Sequence, residues 1–367
     1  MAALNHAEFG QTRRFAGLDG LRAVAILAVI WHHSPHSLEA TLARRGFLGV
    51  DLFFVLSGFL IATLLLREKR AYGRISLKDF WARRFLRLMP AYYLMLAAVA
   101  AAYLLAKPGS PEAQSIVSGM PVYALYLSNW IDPEAPFLGP TWSLATEEQF
   151  YLIWPLVEAS AGPAGIAGAW IAGLGLNQAI NFGLLDGAIL SVSGLAPAGH
   201  PEILHTTFTP ILLGVGLAHA LAHKETFNMA RRIAGFPLAG AVWALLALSA
   251  SAFPAADISG AHRLVIHLTM TALIAAVALQ PAAAATMTLE WRPLRHVGVV
   301  SYGMYLYHLF AIEAARKAAA MAGAAEGPLV FFVGTLATVA IATASFYLLE
   351  RRFLALRDRF RAGARPH

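Results

Sequence analysis

No cysteine occurs in the 367 residues. Disulfides, thiolate metal ligands and a Cys-linked acyl intermediate are thereby excluded, and any covalent chemistry falls to other side chains. Charge is scarce too: Asp, Glu, Lys and Arg make up 13% of a chain that is 58% hydrophobic, with a mean hydropathy of +0.59. That is too apolar for an ordinary soluble domain and predicts a multi-span membrane protein. His200, His205, His219, His223, His262 and His267 show no HExxH spacing and no clustered acids. No metal site is expected from them, and they read as interfacial or loop histidines. Arg13 and Arg14 do not make a twin-arginine signal, because Asp19 and Arg22 interrupt the apolar run and no small-residue cleavage site follows. The first span is therefore expected to stay uncleaved. There is no internal repeat, soluble domain or low-complexity linker. The reading is one membrane domain over 17–350, flanked by a cytoplasmic segment, 1–16, and a basic tail, 351–367, that meets anionic lipid.

What the chain does have is apolar length. Windows of about 20 residues suited to crossing a bilayer fall near 17–35, 47–66, 88–106, 143–162, 164–183, 206–223, 233–253, 264–285, 297–320 and 328–350. The fold class expected is all-α, a polytopic membrane helix bundle of about ten transmembrane helices. The window at 164–183 is rich in Gly and Ala, and 184–196 competes with it. An even number puts both termini on one side. The net charge of +7 is distributed accordingly: segments 1–16, 67–87, 224–232, 286–296 and 351–367 hold 21 of the 28 Lys and Arg residues, and the opposite loops only Arg44, Arg45, Lys107 and Arg263. By the positive-inside rule both termini are cytoplasmic. The same distribution assigns the basic residues to topology and not to nucleic acid.

Several polar residues interrupt this apolar chain. Eleven helical steps bring His33 to within roughly 20° of Arg22 and about 16 Å along the axis, while His32 falls about 80° away. Asp19, three residues before Arg22, is placed to pair with its guanidinium. Ionisable groups on one face of a membrane helix usually mark a pathway or reactive centre. Asp51 enters the second span, where an unpaired carboxylate would be costly, ahead of a Ser57-Gly58 pair that suits close helix packing. Arg84 and Arg87, at i and i+3, read either as a topology anchor or as a phosphate-binding pair at the membrane surface. After the proline-marked loop 107–142, Ser143 and Glu147 have the spacing of an N-cap and first-turn acid. Capping needs one acid, however, and the adjacent Glu147 and Glu148 beside aromatics also suggest a polar cavity. In the ninth span Ser301 and His308 are nearly eclipsed with Tyr305 on the same side, an arrangement that an aromatic belt explains as well as a site does.

Taken together, Leu18-Asp19-Gly20-Leu21-Arg22 with His33, Gly49 to Phe59, Arg84-x-x-Arg87, Trp142 to Tyr151 and Ser301 to His308 resemble acyltransferase family 3. These are integral membrane acyltransferases that include O-antigen and peptidoglycan O-acetylases, and the likeness runs from about residue 15 to 350. It implies transfer of an acyl group, usually acetyl from acetyl-CoA, to a hydroxyl of an extracytoplasmic carbohydrate or glycolipid acceptor, at a bacterial inner membrane. No bound cofactor is expected; acetyl-CoA is a substrate. The family's arginine-x10-histidine motif selects His33 as the catalytic base, and Glu147 would orient it or the acceptor. Asp19, Arg22, Arg84, Arg87, Asp51, Ser143, Glu148 and His308 are the further candidates for substrate and donor binding. A transporter with a buried charged pathway would share this composition, but paired halves are not visible.

Overall fold

A computed structural model describes residues 3–35, 41–131, 133–187, 208–254, 258–324, 327–357 and Phe360. His200, His205, most of the 184–205 loop and the end of the basic tail lie outside the described residues. Every regular element among the described residues is helical. The helices that position polar groups are α1 (Leu18–His33), α2 (Leu48–Tyr72), α3 (Leu77–Ala106), α4 (Thr141–Ser160), α5 (Phe208–Ala222), α6 (Gly260–Leu279), α7 (Ser301–Met321) and α8 (Pro328–Ser345).

Among the described residues four helices are long and apolar enough to cross a membrane, α2, α3, α6 and the run Pro328–Arg357. A fifth is reached if Lys224–Ala234 and Ala239–Ala252, bent by 72°, form one broken span. The windows at 17–35, 206–223 and 233–253 fold as helices of 16, 15 and 14 residues, and local chemistry explains the first and the last. α1 has only 16 residues, about 24 Å of helix against a hydrocarbon core of about 30 Å. Gly17, at φ 83°, turns the chain just before it. Pro35 stops it, because the residue preceding a proline is pushed out of the helical region. The 233–253 window begins with the same kind of interruption: Leu238 takes a left-handed φ of 65°, so the Ala239–Ala252 helix starts afresh.

The chain forms two compact units, each discontinuous in sequence. The first comprises Met1–His32, Leu38–Arg67 and Ala161–Val299. Its helices approach through glycine. A methyl at Gly58 would overlap the Ile211 carbonyl of α5, and one at Gly214 would overlap the Val55 carbonyl of α2. The Ser57-Gly58 pair is thus a packing device at least at Gly58. Gly49 meets the Ala25 backbone of α1 in the same way. Arg67 pins the N-terminal segment, donating to the Thr12 carbonyl at 2.7 Å and lying 5.0 Å over the Phe15 ring. Arg45, expected in an external loop, is buried and donates to the carbonyls of Ser251 and Phe253.

The second unit comprises His33–Ser37, Glu68–Ser160 and Val300–His367. Pro155 lies inside α4 and has no N–H to give the Tyr151 carbonyl one turn back. The Trp81 indole of α3 takes that place, donating to Tyr151 O at 3.1 Å. Gln149 staples the loop before α4, exchanging bonds with Asn129, Trp130 Nε1 and the Tyr126 carbonyl. After α8 the helix widens into a π turn, Phe346–Glu350, where Ser345 joins Tyr307 to Glu350.

Candidate active site

His33 and His32 are neighbours with different surroundings. The His32 ring packs edge-on against Phe47 at 5.5 Å, within the first unit. His33, the last residue of α1, belongs to the second, where its ring centre lies 4.9 Å from that of His308, with the planes at 63°.

His308 is 1% exposed. Its Nδ1 stands 2.7 Å from the Tyr305 carbonyl one turn earlier in α7. The Tyr305 hydroxyl reaches α4, 2.7 Å from Ser143 Oγ and 2.9 Å from the Pro140 carbonyl. Ser143 does not cap α4: the helix begins at Thr141, and Ser143 Oγ points back to Pro140 O at 3.1 Å. The cap is lost because Pro140 and Thr141 can open the helix themselves, Pro140 leaving its carbonyl to be shared by the two hydroxyls. A small cavity lies here, lined by Thr141, Leu144, Tyr305 and His308 among others.

The adjacent acids of α4 act in different directions. Glu147 is an electrostatic neighbour of Tyr305. Glu148 lies by Arg84 and lines a cleft of about 550 Å³ walled by Trp81, Phe85, Met89, Tyr126 and Tyr151. Arg84 lines the same cleft, its guanidinium stacked 5.1 Å over Tyr151 and 5.7 Å over Phe80. A cation on a mostly apolar wall can take an anionic head with an apolar arm. Arg87 is not among the cleft-lining residues and interacts electrostatically with Glu350 instead.

The remaining candidates belong to the first unit. Asp19 lies 3.9 Å from Arg22, the pairing expected from their spacing, but 3.1 Å from Arg14. Arg14 also grips Glu290 through both carboxylate oxygens at 2.9 Å, and the Gly17 N–H adds a third bond at 2.7 Å. The hydrogen bonds from Arg14 hold the Glu290 carboxyl below the usual carboxylate range, against the opposing effect of burial. Nothing in sequence separation links residues 14 and 290; only the fold brings them together.

Asp51 is 3% exposed and not alone. Arg263 Nη2 approaches it at 2.8 Å and His267 Nε2 at 3.5 Å. Arg263 also donates from Nε to His267 Nε2 at 3.2 Å. His267 is thus no interfacial or loop histidine: it is fully buried in α6. The buried acid of α2 supplies the polar partner that lets an imidazole sit there. Among the described residues no group of three or more His, Asp or Glu could hold a metal ion.

Residues 15–347 match the acyltransferase domain family. The chain is 33% identical over 312 residues to the peptidoglycan O-acetyltransferase OatA of Listeria monocytogenes, covering 79% of this chain and 48% of that protein. It is 34% identical over 324 residues to a Bacillus subtilis protein named "Putative peptidoglycan O-acetyltransferase YrhL", covering 81% and 48% respectively. The chain spans about half the length of these curated relatives. No solved structure matches.

Proposed function

The chain belongs to the acyltransferase family, and from that premise we propose that it is a membrane O-acetyltransferase acting on a hydroxyl of a cell-envelope glycan or glycolipid. The observation that carries this reading is the placement of His33: the histidine eleven residues after Arg22 stands beside His308, while His32 packs on Phe47. An alcohol is a weak nucleophile at neutral pH, so attack on a thioester needs a base at the hydroxyl. His33 takes the hydroxyl proton as oxygen attacks the acyl carbon of acetyl-CoA. The C–S bond then breaks, and the proton passes from His33 to the departing CoA thiolate. Glu147, near Tyr305, orients the acceptor or the imidazole.

The cleft holding Arg84 suits the donor, a phosphate on the guanidinium and the pantetheine arm along the aromatic wall. Arg87 and Glu148 tune the charge at either side. Asp19 and Arg22 line the inner stretch of α1, and Ser143 and His308 lie at the reacting end. Asp51, held by Arg263, is read as a structural acid. Both termini are cytoplasmic, with donor taken from that side and acceptor modified outside. The names of the Listeria and Bacillus relatives favour a peptidoglycan hydroxyl as acceptor.

The test is transfer by protein purified into lipid, given [¹⁴C]acetyl-CoA and glycan fragments. Label should appear in the glycan as an alkali-labile ester. Absence of transfer, with acetyl-CoA-independent solute uptake, would replace this reading with a permease built around the buried Asp51, Arg263 and His267.

A further inference from the structure

The small cavity beside His308 leaves a water-sized body about 10 Å³ to move in. That is room for one such body and no more. Met95 of α3, Leu144 of α4 and Phe137 supply its apolar walls, and Thr141, Tyr305 and His308 its polar ones. The polar side chains are mostly engaged already. Thr141 Oγ1 donates to the Leu138 carbonyl at 2.6 Å, and the Tyr305 hydroxyl is shared between Ser143 Oγ and the Pro140 carbonyl. His308 Nδ1 meets the Tyr305 carbonyl, which leaves Nε2 as the one nitrogen or oxygen of these three side chains without a partner among the described residues. A trapped water needs about two to four polar partners, so a small apolar group suits this space better. The walls have little freedom to retreat. Met95 and Leu144 are 4% and 9% exposed, and Phe137 is stacked on Phe310 with ring centres 4.9 Å apart. The His33 ring lies 4.9 Å from that of His308, so this methyl-sized space adjoins the immediate neighbour of the proposed base.

We propose that the cavity is the acyl pocket, taking the methyl of the donor's acetyl group, and that Leu144 and Met95 set the longest chain it admits. The proposal rests on the acyl-transfer reading above and adds to it the residues that choose the acyl group. Each carbon beyond acetyl must displace Leu144 or Met95 from a packed helix face. A longer acyl-CoA carries the same phosphates and pantetheine arm. Discrimination therefore falls on seating the thioester carbon at the base, and not on holding the CoA.

The experiment compares kcat/KM for acetyl-, propionyl- and butyryl-CoA, with protein in lipid and glycan fragments as acceptor. In the wild type propionyl transfer should be slower than acetyl by about tenfold or more, the usual effect of one methylene in a closed pocket, and butyryl transfer slower again. Leu144→Ala should raise the propionyl-to-acetyl ratio about tenfold, and Met95→Ala should do so independently. A purely structural loss would lower all three rates and leave the ratio alone. If Leu144→Ala does not insert, Leu144→Val and Met95→Ala decide by the same ratio. A wild type that uses the three donors alike overturns the proposal, as does a ratio unmoved in the variants that insert; acyl transfer itself then stands. No transfer from any of the three donors overturns both.

Discussion

Replacing Arg263 with Met should destabilise the protein by about 3 kcal/mol, the low end of the range for stripping one partner from a buried ion pair. The reason for the low end lies in the geometry. Asp51 is 3% exposed and takes Arg263 at 2.8 Å, but His267 Nε2 is only 3.5 Å away. Once Arg263 no longer donates to Nε2, His267 can place its own proton there and donate to Asp51, recovering part of the loss. Asp51→Asn should cost a similar amount by stranding the guanidinium. The double variant has no buried charge at this place, so its cost should fall short of the sum of the two by at least about 2 kcal/mol. Tryptophan fluorescence during heating of detergent-solubilised protein gives the comparison, with an expected drop for each single variant of roughly 4 °C. Costs that simply add, or an Arg263→Met variant within about 0.5 kcal/mol of wild type, would refute the pairing as the reason Asp51 tolerates burial.

Other consequences follow from contacts elsewhere in the chain. Glu290 has a lowered pKa in the fold, so its contribution to stability is present above the ordinary carboxylate range and is lost as pH falls through the depressed value. The stability gap between wild type and Glu290→Gln should therefore narrow on acidification, and a gap constant from neutral to strongly acid pH would contradict the Arg14 grip. Gly58→Ala should force α2 and α5 apart at a rigid carbonyl, lowering stability by about 1–3 kcal/mol in the same unfolding assay, and an unchanged midpoint would deny the close crossing. The absence of cysteine allows a clean topology test. Gln114→Cys should react with an impermeant thiol reagent in intact cells and Arg74→Cys should not; the reverse pattern would invert the proposed orientation.

The sequence was informative where a side chain's role follows from its own helix. The helical angle to Arg22 distinguishes His33 from His32 within one helix, and the two rings have different neighbours, His308 and Phe47. The Asp19–Arg22 pairing and the tight packing at Gly58 are likewise local in cause. Roles set by distant partners were hidden. His267 looked like a loop histidine because its acid, Asp51, is far away in sequence, and Arg263 and Arg45 looked like loop charges for the same reason. Glu290 carried no signal before the fold joined it to Arg14. Hydropathy also overstates span length where Gly17, Pro35 and Leu238 interrupt a window, since a mean over 20 residues does not see a single turn-forming position. Ser143 illustrates a further limit: spacing suggested a cap, but the helix already begins two residues earlier, at Thr141.

The central claim is that His33 serves as the base for acyl transfer. It is tested most directly by His33→Ala in purified protein, with acetyl-CoA binding and acetyl transfer measured on the same preparation. Donor binding should be unchanged and transfer should fall by about 100-fold or more, as expected for loss of a general base, while His32→Ala transfers normally. A His33→Ala protein that acetylates at the wild-type rate would contradict the account.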